Sequence, residues 1–135
     1  MKKFAIIGFI VALAIAGVFL WQHFKHPSDA QVRQMLPGTW ALSWGDSAHS
    51  TNIVGVDGRY TCRITDPRHS RAIELEGTFQ VTDGVLIDTV TKNSQPNSFV
   101  PSVYRGRIIR ADGSEMIVAF TEGGVQTVHY RKVAP

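Results

Sequence analysis

Pairs of turn-forming residues recur along this chain after Pro37, and they constrain its fold more than any other feature. Six are evident: Gly45-Asp46, Asp57-Gly58, Asp66-Pro67, Asp83-Gly84, Asp112-Gly113 and Gly123-Gly124. Glycine and aspartate suit tight turns, because glycine accepts a positive φ and the aspartate side chain binds the local backbone. The segments between these turns alternate in polarity or are rich in β-branched residues, which is typical of short antiparallel strands.

This pattern predicts eight strands with one short helix before them. The predicted strands lie near residues 39–45, 50–56, 59–65, 71–81, 85–92, 102–110, 115–121 and 125–133. The predicted helix covers 28–35, since Ser28 can cap it and Asp29 favours its first turn. Pro37 and Gly38 should end the helix just before the first strand.

The residue pattern of the third and fourth predicted strands also predicts how the two strands are aligned with each other. In the fourth strand the apolar residues Ile73, Leu75, Phe79 and Val81 share one face with Gly77. In the third strand Tyr60, Cys62 and Ile64 share a face, so Cys62 is expected to be a buried thiol. A hairpin that pairs residue 65 with residue 72 aligns both apolar faces and sets Arg63 opposite Glu74.

Eight short antiparallel strands favour an all-β, up-and-down barrel, whose closure leaves no free edge. A two-sheet sandwich of the same strands is the alternative. The interior of such a barrel is filled by side chains or holds one small ligand. The aromatic residues on the inner faces are consistent with a core alone or with a core plus a pocket. If there is a pocket, the candidate ligand-binding residues are Trp44, Tyr60, Phe79, Phe99 and Phe120. Of these, Phe99 would be the apolar tip of the long 93–102 loop over the mouth.

Several short motifs are similar to those of small bacterial lipocalin-like domains. Gly38-Thr39-Trp40 at the end of a short helix looks like the G-x-W signature of lipocalins. It is followed by Asp57-Gly58-Arg59-Tyr60, by Gly77-Thr78-Phe79 and by Asp83-Gly84-Val85-Leu86. The resemblance covers roughly residues 30–133. It implies that a basic side chain from the last strand packs across Trp40, and Arg131 is the expected residue. The chain is shorter than a full lipocalin, which implies a smaller cavity.

The N-terminal segment predicts a membrane anchor. Residues 4–21 contain no charge over eighteen positions, and a helix of that length spans about 27 Å, close to the hydrocarbon thickness of a bilayer. Lys2 and Lys3 precede the segment, whereas only Lys25 follows it as a fixed charge. The positive-inside bias therefore predicts a single-pass protein of the bacterial inner membrane, with a cytoplasmic N-terminus and a periplasmic domain.

A cleaved signal peptide is the competing interpretation, because Ala14-Ile15-Ala16 resembles a cleavage site. Cleavage there would leave a very apolar mature N-terminus, which favours the anchor. In either case the chain divides into residues 1–27, the anchor and its flank, and residues 28–135, the barrel domain.

Charge and chemistry exclude several function classes. Of the 14 Lys and Arg residues, Lys2, Lys3 and Lys25 flank the apolar segment, which leaves eleven against eleven Asp and Glu in the domain. A neutral domain argues against nucleic acid as a partner. The five histidines form no metal-binding pair within the domain, and the single cysteine allows no internal disulfide. No cofactor or metal is expected, and no nucleophile–base pair predicts an enzyme. Asp88 has no clear place in this pattern.

Two non-catalytic roles therefore remain open. The first is binding of a small apolar ligand in the barrel. The second is docking to a membrane-associated protein, with the barrel filled by its own side chains. A ligand binder should contain a cavity that solvent can reach, whereas a docking module should not.

Overall fold

The computed structural model of the 135-residue chain describes residues 15, 18, 26–44, 48–122, 124 and 126–135, with the side chain of Trp44 outside the description. In the described part of the chain, helix α1 (Asp29–Met35) precedes eight strands. The strands are β1 (Gly38–Trp44), β2 (Ala48–Val54), β3 (Arg59–Thr65), β4 (Ile73–Thr82), β5 (Val85–Asn93), β6 (Ser102–Ala111), β7 (Glu115–Phe120) and β8 (Gln126–Ala134).

The strands form a closed antiparallel barrel, which confirms the predicted architecture over the sandwich alternative. Each strand pairs with the next along the chain, and β1 also pairs with β8. The predicted register of β3 and β4 is confirmed, since Arg63 lies opposite Glu74 and Ile64 opposite Ile73. The apolar face predicted for β4 points inward, with Phe79 and Val81 buried.

The barrel interior is a continuous apolar core. It receives alternate residues from every strand, as the two-residue period of a strand requires. Its buried members from the helix and strands are Val32, Leu36, Trp40, Leu42, Val54, Tyr60, Cys62, Phe79, Val81, Leu86, Ile108, Met116, Val118, Val128 and Tyr130. The burial of Cys62 follows the prediction made from its phase with Tyr60.

Helix α1 closes one end of the barrel. The Ser28 hydroxyl accepts a hydrogen bond from the Gln31 backbone N–H, and the Gln31 side chain accepts one from the Ser28 N–H, which is a complete capping box. Asp29 accepts hydrogen bonds from the backbone N–H groups of Asp83 and Gly84, at 2.7 and 2.9 Å. The helix is therefore fastened to the β4–β5 turn, with its buried Val32 side chain over the core.

Trp40 is packed beneath this helix, and the cation over its ring is Lys132. The expectation that Arg131 fills this role is wrong. Lys132 is the cross-strand partner of Trp40, with its Nζ 5.1 Å from the ring centroid, whereas Arg131 pairs with Ala41 and is exposed. The Lys132 ammonium also donates a hydrogen bond to the Met35 carbonyl, at 2.7 Å. Lys132 thus joins the last strand to the C-terminal end of α1.

Within the described part of the chain, no helix has the length and apolar character needed to cross a membrane. The predicted anchor, residues 4–21, lies outside the described residues except for Ile15 and Val18.

Candidate functional site

A cavity of about 330 Å³ lies in the half of the barrel opposite α1. The residues that line it come from β1–β6 and β8: Leu42, Ser50, Asn52, Tyr60, Cys62, Ile64, Leu75, Phe79, Asp88, Val90, Asn93, Ser102, Tyr104 and Tyr130. Its deeper wall is buried, whereas Tyr104 is 44% exposed and lies at the rim. Asn93 and Ser102, the two ends of the β5–β6 connection, also lie at this rim. The cavity is therefore a pocket with an opening beside that loop.

Strand β2 contributes two buried polar side chains to the pocket. Its residues alternate strictly between buried and exposed positions, which turns Ser50 and Asn52 inward together with Val54. Ser50 is 3% exposed and Asn52 is 5% exposed. Among the described residues, Ser50 Oγ and Asn52 Oδ1 have no hydrogen-bond partner. A buried polar group without a partner costs about 1–3 kcal/mol, so these two atoms are ready to bind a polar group in the cavity.

Strand β5 contributes Asp88, the one acidic side chain among the described residues that line the pocket. The Tyr60 hydroxyl donates a hydrogen bond to Asp88 Oδ1, at 2.6 Å. The Tyr60 ring stacks on Phe79, with the ring centroids 4.3 Å apart. The tyrosine reaches across β4 at Gly77, where a β-carbon would lie 2.8 Å from the Tyr60 hydroxyl. Glycine at this position therefore makes the Tyr60–Asp88 contact possible.

The surroundings of Asp88 favour its neutral form. Burial raises the pKa of its carboxyl to about 6, although the hydrogen bond from Tyr60 acts in the opposite direction. Burial also raises the pKa values of Tyr60 and Tyr130, and the nearby Asp88 charge adds to both effects. These tyrosines are consequently neutral hydroxyl groups at physiological pH, and Asp88 is the group in the pocket that can change its charge.

Cys62 also faces the pocket, but its chemistry is that of an inert thiol. Burial raises the pKa of the Cys62 thiol to about 11, and the neighbouring Ser50 hydroxyl offsets only part of this effect. The hydroxyl lies close to the sulfur without forming a hydrogen bond of acceptable geometry to it. A nucleophilic cysteine needs a lowered pKa and a nearby base. The pKa of Cys62 is raised instead, and the Asp88 carboxylate that lines the same pocket raises it further.

The candidate ligand-binding residues fall in different places. Tyr60 and Phe79 line the pocket. Phe120 is half-buried, packs against the core and is not part of the lining. Phe99 is 90% exposed and lies away from the lining, so in this structure it does not cover the mouth as expected. Trp44 is the last residue of β1, and its side chain lies outside the described residues.

Sequence reasoning missed the polar half of the pocket. Asn52 and Ser50 were not selected, although they alternate with exposed residues and are in phase with the apolar Val54. Asp88 was left without a place, although it is in phase with the buried Leu86 and Val90. Alternation within β2 was the signal that could have found Ser50 and Asn52, whereas Asp88 lies on a strand with two apolar faces.

A second cavity of about 330 Å³ lies between α1 and the β2–β3 turn. It is bounded by Leu36, Phe79 and the turn residues Gly55–Gly58. The Arg33 guanidinium in its wall donates a hydrogen bond to the Val81 carbonyl, at 2.6 Å. No unpartnered buried side chain was found in this wall among the described residues. This second cavity is therefore a less favourable ligand-binding site than the pocket at the open end.

Comparison with known proteins adds no identity. No protein-family model and no curated protein matches this chain. The closed, eight-stranded antiparallel barrel is consistent with a lipocalin-like fold. Within the described ranges, no three His, Cys, Asp or Glu side chains are grouped so that they could hold a metal ion. What the site can do must therefore be argued from the geometry of the pocket.

Proposed function

We propose that this protein binds a small, largely apolar ligand in the open half of its barrel and performs no catalysis. The observation that carries the proposal is a cavity in which apolar walls surround unpartnered, buried polar atoms on Ser50 and Asn52. A filled core would place apolar side chains at both positions, because unpaired buried polar atoms are costly. A ligand with an apolar body and a polar group would satisfy both parts of the wall.

The volume of the pocket limits the size of this ligand. Binding sites for small molecules have volumes of about 300–1,000 Å³, so a cavity of about 330 Å³ lies at the lower end of that range. At about 30 Å³ for each water-sized group, the pocket has room for roughly eleven non-hydrogen atoms. The ligand we propose is therefore smaller than a long-chain lipid.

We also propose that residues 4–21 anchor the barrel to the bacterial inner membrane, with the N-terminus in the cytoplasm. The uncharged segment and the preceding Lys2 and Lys3 support this topology. Residues 22–27 connect the segment to α1 and reach at most about 21 Å even when extended. The α1 end of the barrel would then face the membrane, and the pocket would open toward the periplasm.

The topology has a direct test. A reporter enzyme that is active only outside the cytoplasm, fused after Pro135, should be active. A fusion that is stably produced but inactive would overturn the proposed orientation. Detection of the intact N-terminus in the membrane fraction would distinguish an anchor from a cleaved signal peptide.

Docking to a membrane-associated protein is the second candidate function. Apolar side chains on the outer surface favour it, since Ile53 on β2 is 57% exposed and Val56 in the following turn is 93% exposed. This hypothesis assigns no role to the unpartnered atoms of the pocket. Ligand binding accounts for them and is therefore preferred.

Blocking the mouth of the pocket tests the proposed function. Ile64 is half-buried and lines the pocket, so Ile64→Trp should extend an indole into the opening. Thr61→Trp places the same side chain on the exposed face of the same strand and is the matched control. The probe is 2-phenylethanol, a neutral molecule small enough for the cavity. Binding is measured by calorimetry on the full chain in lipid nanodiscs, with empty nanodiscs subtracted.

We expect the natural chain and the Thr61→Trp variant to bind the probe equally, and the Ile64→Trp variant to bind at least roughly tenfold more weakly. That loss corresponds to about 1.4 kcal/mol, less than the burial of one apolar side chain contributes. Equal binding by both variants would refute a ligand site in this pocket. So would failure of the natural chain to bind this neutral probe and also its cationic and anionic analogues.

A further inference from the structure

The pocket at the open end contains a partly buried carboxylate without a basic partner among the described residues. Of the described residues that line it, Asp88 is the only side chain that carries a charge at neutral pH. No Lys, Arg or His in the described part of the chain forms an ion pair with it. A buried charge is costly unless a counter-charge and hydrogen bonds satisfy it. Its role in the barrel therefore calls for an explanation beyond packing.

Acceptor oxygens in the pocket lack a donor among the described residues. Tyr60 donates to Asp88 Oδ1, while no described residue donates to Oδ2. Asn52 Oδ1 is a further buried acceptor without a partner, and the Ser50 hydroxyl oxygen lies beside it on the same strand face. A ligand that brings donors would bind these oxygens, and a ligand that also carries a positive charge would neutralise the carboxylate.

Aromatic side chains lie on both sides of the carboxylate. Phe79 on β4 and Tyr104 on β6 are the cross-strand partners of Asp88 in the barrel register. Aromatic rings provide an apolar surface, and their faces also attract cations. The wall around the carboxylate thus matches a molecule that joins a short apolar body to a cationic donor.

We propose that the ligand is a small apolar amine, which binds as its ammonium ion with Asp88 as the counter-ion. The N–H groups of the ammonium donate to Asp88 Oδ2 and to Asn52 Oδ1, and the apolar body packs on the aromatic and aliphatic wall. This proposal rests on the proposed function, because it names the class of ligand for the same pocket.

The test compares three probes of similar shape that differ in charge. They are 2-phenylethylamine, which is a cation at neutral pH, 2-phenylethanol, which is neutral, and phenylacetate, which is an anion. Their affinities are measured by calorimetry on the full chain in nanodiscs of zwitterionic lipid, with empty nanodiscs subtracted. We expect the amine to bind roughly tenfold to a hundredfold more tightly than the alcohol, which is the range expected for a charge-assisted hydrogen bond. Phenylacetate should bind most weakly.

Asp88→Asn is the diagnostic variant. Asparagine retains the size of the side chain and an oxygen that can accept from Tyr60, but it has no charge. We expect it to lose the preference for the amine, so that it binds the amine and the alcohol with similar affinity. Glu74→Gln removes a carboxylate from an exposed position on β4 and is the matched control. It should retain the full preference for the amine.

The affinity for the amine should also depend on pH in a defined direction. The titratable groups that face Asp88 are Tyr60 and Cys62 from β3, Tyr104 from β6 and Tyr130 from β8, while β4 contributes the uncharged Phe79. Because burial raises the pKa of Asp88 to about 6, protonation at lower pH removes the counter-ion. The affinity should fall roughly tenfold between pH 7.5 and pH 5. The affinity of the alcohol should not change.

The possible results separate this proposal from the one on which it rests. Equal affinities of amine and alcohol, or an unchanged preference in Asp88→Asn, would overturn the amine proposal and leave a neutral ligand site intact. Tightest binding of phenylacetate would overturn it in the same way. If the natural chain bound none of the three probes, the proposed ligand site and the amine proposal would both fail.

Discussion

Replacing Asp88 with asparagine should remove a pH dependence from the stability of this barrel. Burial raises the pKa of the Asp88 carboxyl from the ordinary value of 3.8 to about 6 in the folded protein. Between these two values the folded state retains a proton that the unfolded chain has released. The contribution of Asp88 to stability is therefore fully present below about pH 4 and is lost as the pH rises to about 6.

The size of this effect follows from the two pKa values. One pKa unit corresponds to about 1.4 kcal/mol, so the rise from 3.8 to about 6 corresponds to a loss of about 3 kcal/mol. Asparagine does not titrate and can still accept the Tyr60 hydrogen bond. The free energy of unfolding of the Asp88→Asn variant, relative to the natural chain, should consequently increase by about 2 kcal/mol from pH 4 to pH 7, because the unfolded carboxyl is already partly ionised at pH 4.

Urea unfolding of the full chain in a non-ionic detergent, followed by near-ultraviolet circular dichroism, measures this difference. Prior refolding from urea removes any bound ligand, which would otherwise stabilise the folded state. Other carboxyl groups affect both proteins equally, so their contributions cancel. Glu74→Gln, at an exposed position, should follow the natural chain at every pH. If the natural chain and the Asp88→Asn variant differed by a constant amount from pH 4 to pH 7, the reasoning about a buried carboxyl would be wrong.

Three further predictions concern packing. Gly77→Ala should lower the free energy of unfolding by about 1–3 kcal/mol, because the added β-carbon would collide with backbone and with a tyrosine ring. Gly113→Ala is the control, since nothing lies within 4 Å of the added β-carbon, and its thermal unfolding should be unchanged. Urea titrations should show that Lys132→Met lowers the free energy of unfolding by about 1–2 kcal/mol. Arg131→Met, at an exposed position, should lower it by less than about 0.5 kcal/mol. Equal losses would contradict the assignment of Lys132 as the cation over Trp40. Iodoacetamide at pH 8 should alkylate Cys62 roughly a hundredfold more slowly in the folded protein than in urea, because burial raises the pKa of the thiol from 9.0 to about 11. Equal rates would contradict the burial of Cys62.

The strands were predictable from sequence because their signals agree with one another. The β3–β4 register is the clearest case, since the apolar faces and the Arg63–Glu74 charge pair independently select the same alignment. A register shifted by one residue would turn Phe79 and Val81 to the solvent. Alternation therefore determined both the pairing and the inner face, and the eight strands were found within two residues of their predicted ends.

Alternation also contained the correct choice at Trp40, although the resemblance to lipocalins suggested another one. Val128 and Tyr130 are buried, and Lys132 continues the same face of β8. Arg131 belongs to the opposite face and cannot reach the indole. A residue assigned by analogy was thus off by one position, and the two-residue period of the strand explains the error.

The polar half of the pocket was harder to predict. In β5, the face of Leu86 and Val90 is apolar, but so is the face of Val85 and Ile87. When both faces of a strand are apolar, the period of the pattern cannot show which face contains Asp88. Only the paired strands on either side decide it.

The prediction that Phe99 covers the mouth of the pocket was wrong for a different reason. A loop side chain is buried only where another surface covers it, and sequence shows apolar character without showing that surface. The structure leaves Phe99 almost fully exposed in the β5–β6 connection. The two ends of the connection, Asn93 and Ser102, lie at the rim of the pocket instead.

Native mass spectrometry of the full chain, purified from the organism that makes it, tests most directly whether the barrel carries a ligand. We predict a mass above that of the polypeptide, with the excess lost on denaturation and absent from the Ile64→Trp variant. The excess should correspond to a small molecule, of on the order of ten non-hydrogen atoms, in keeping with a cavity of about 330 Å³. A bare polypeptide mass, together with no binding of any of the three probes to the purified chain, would contradict the central claim that this barrel is a ligand-binding protein.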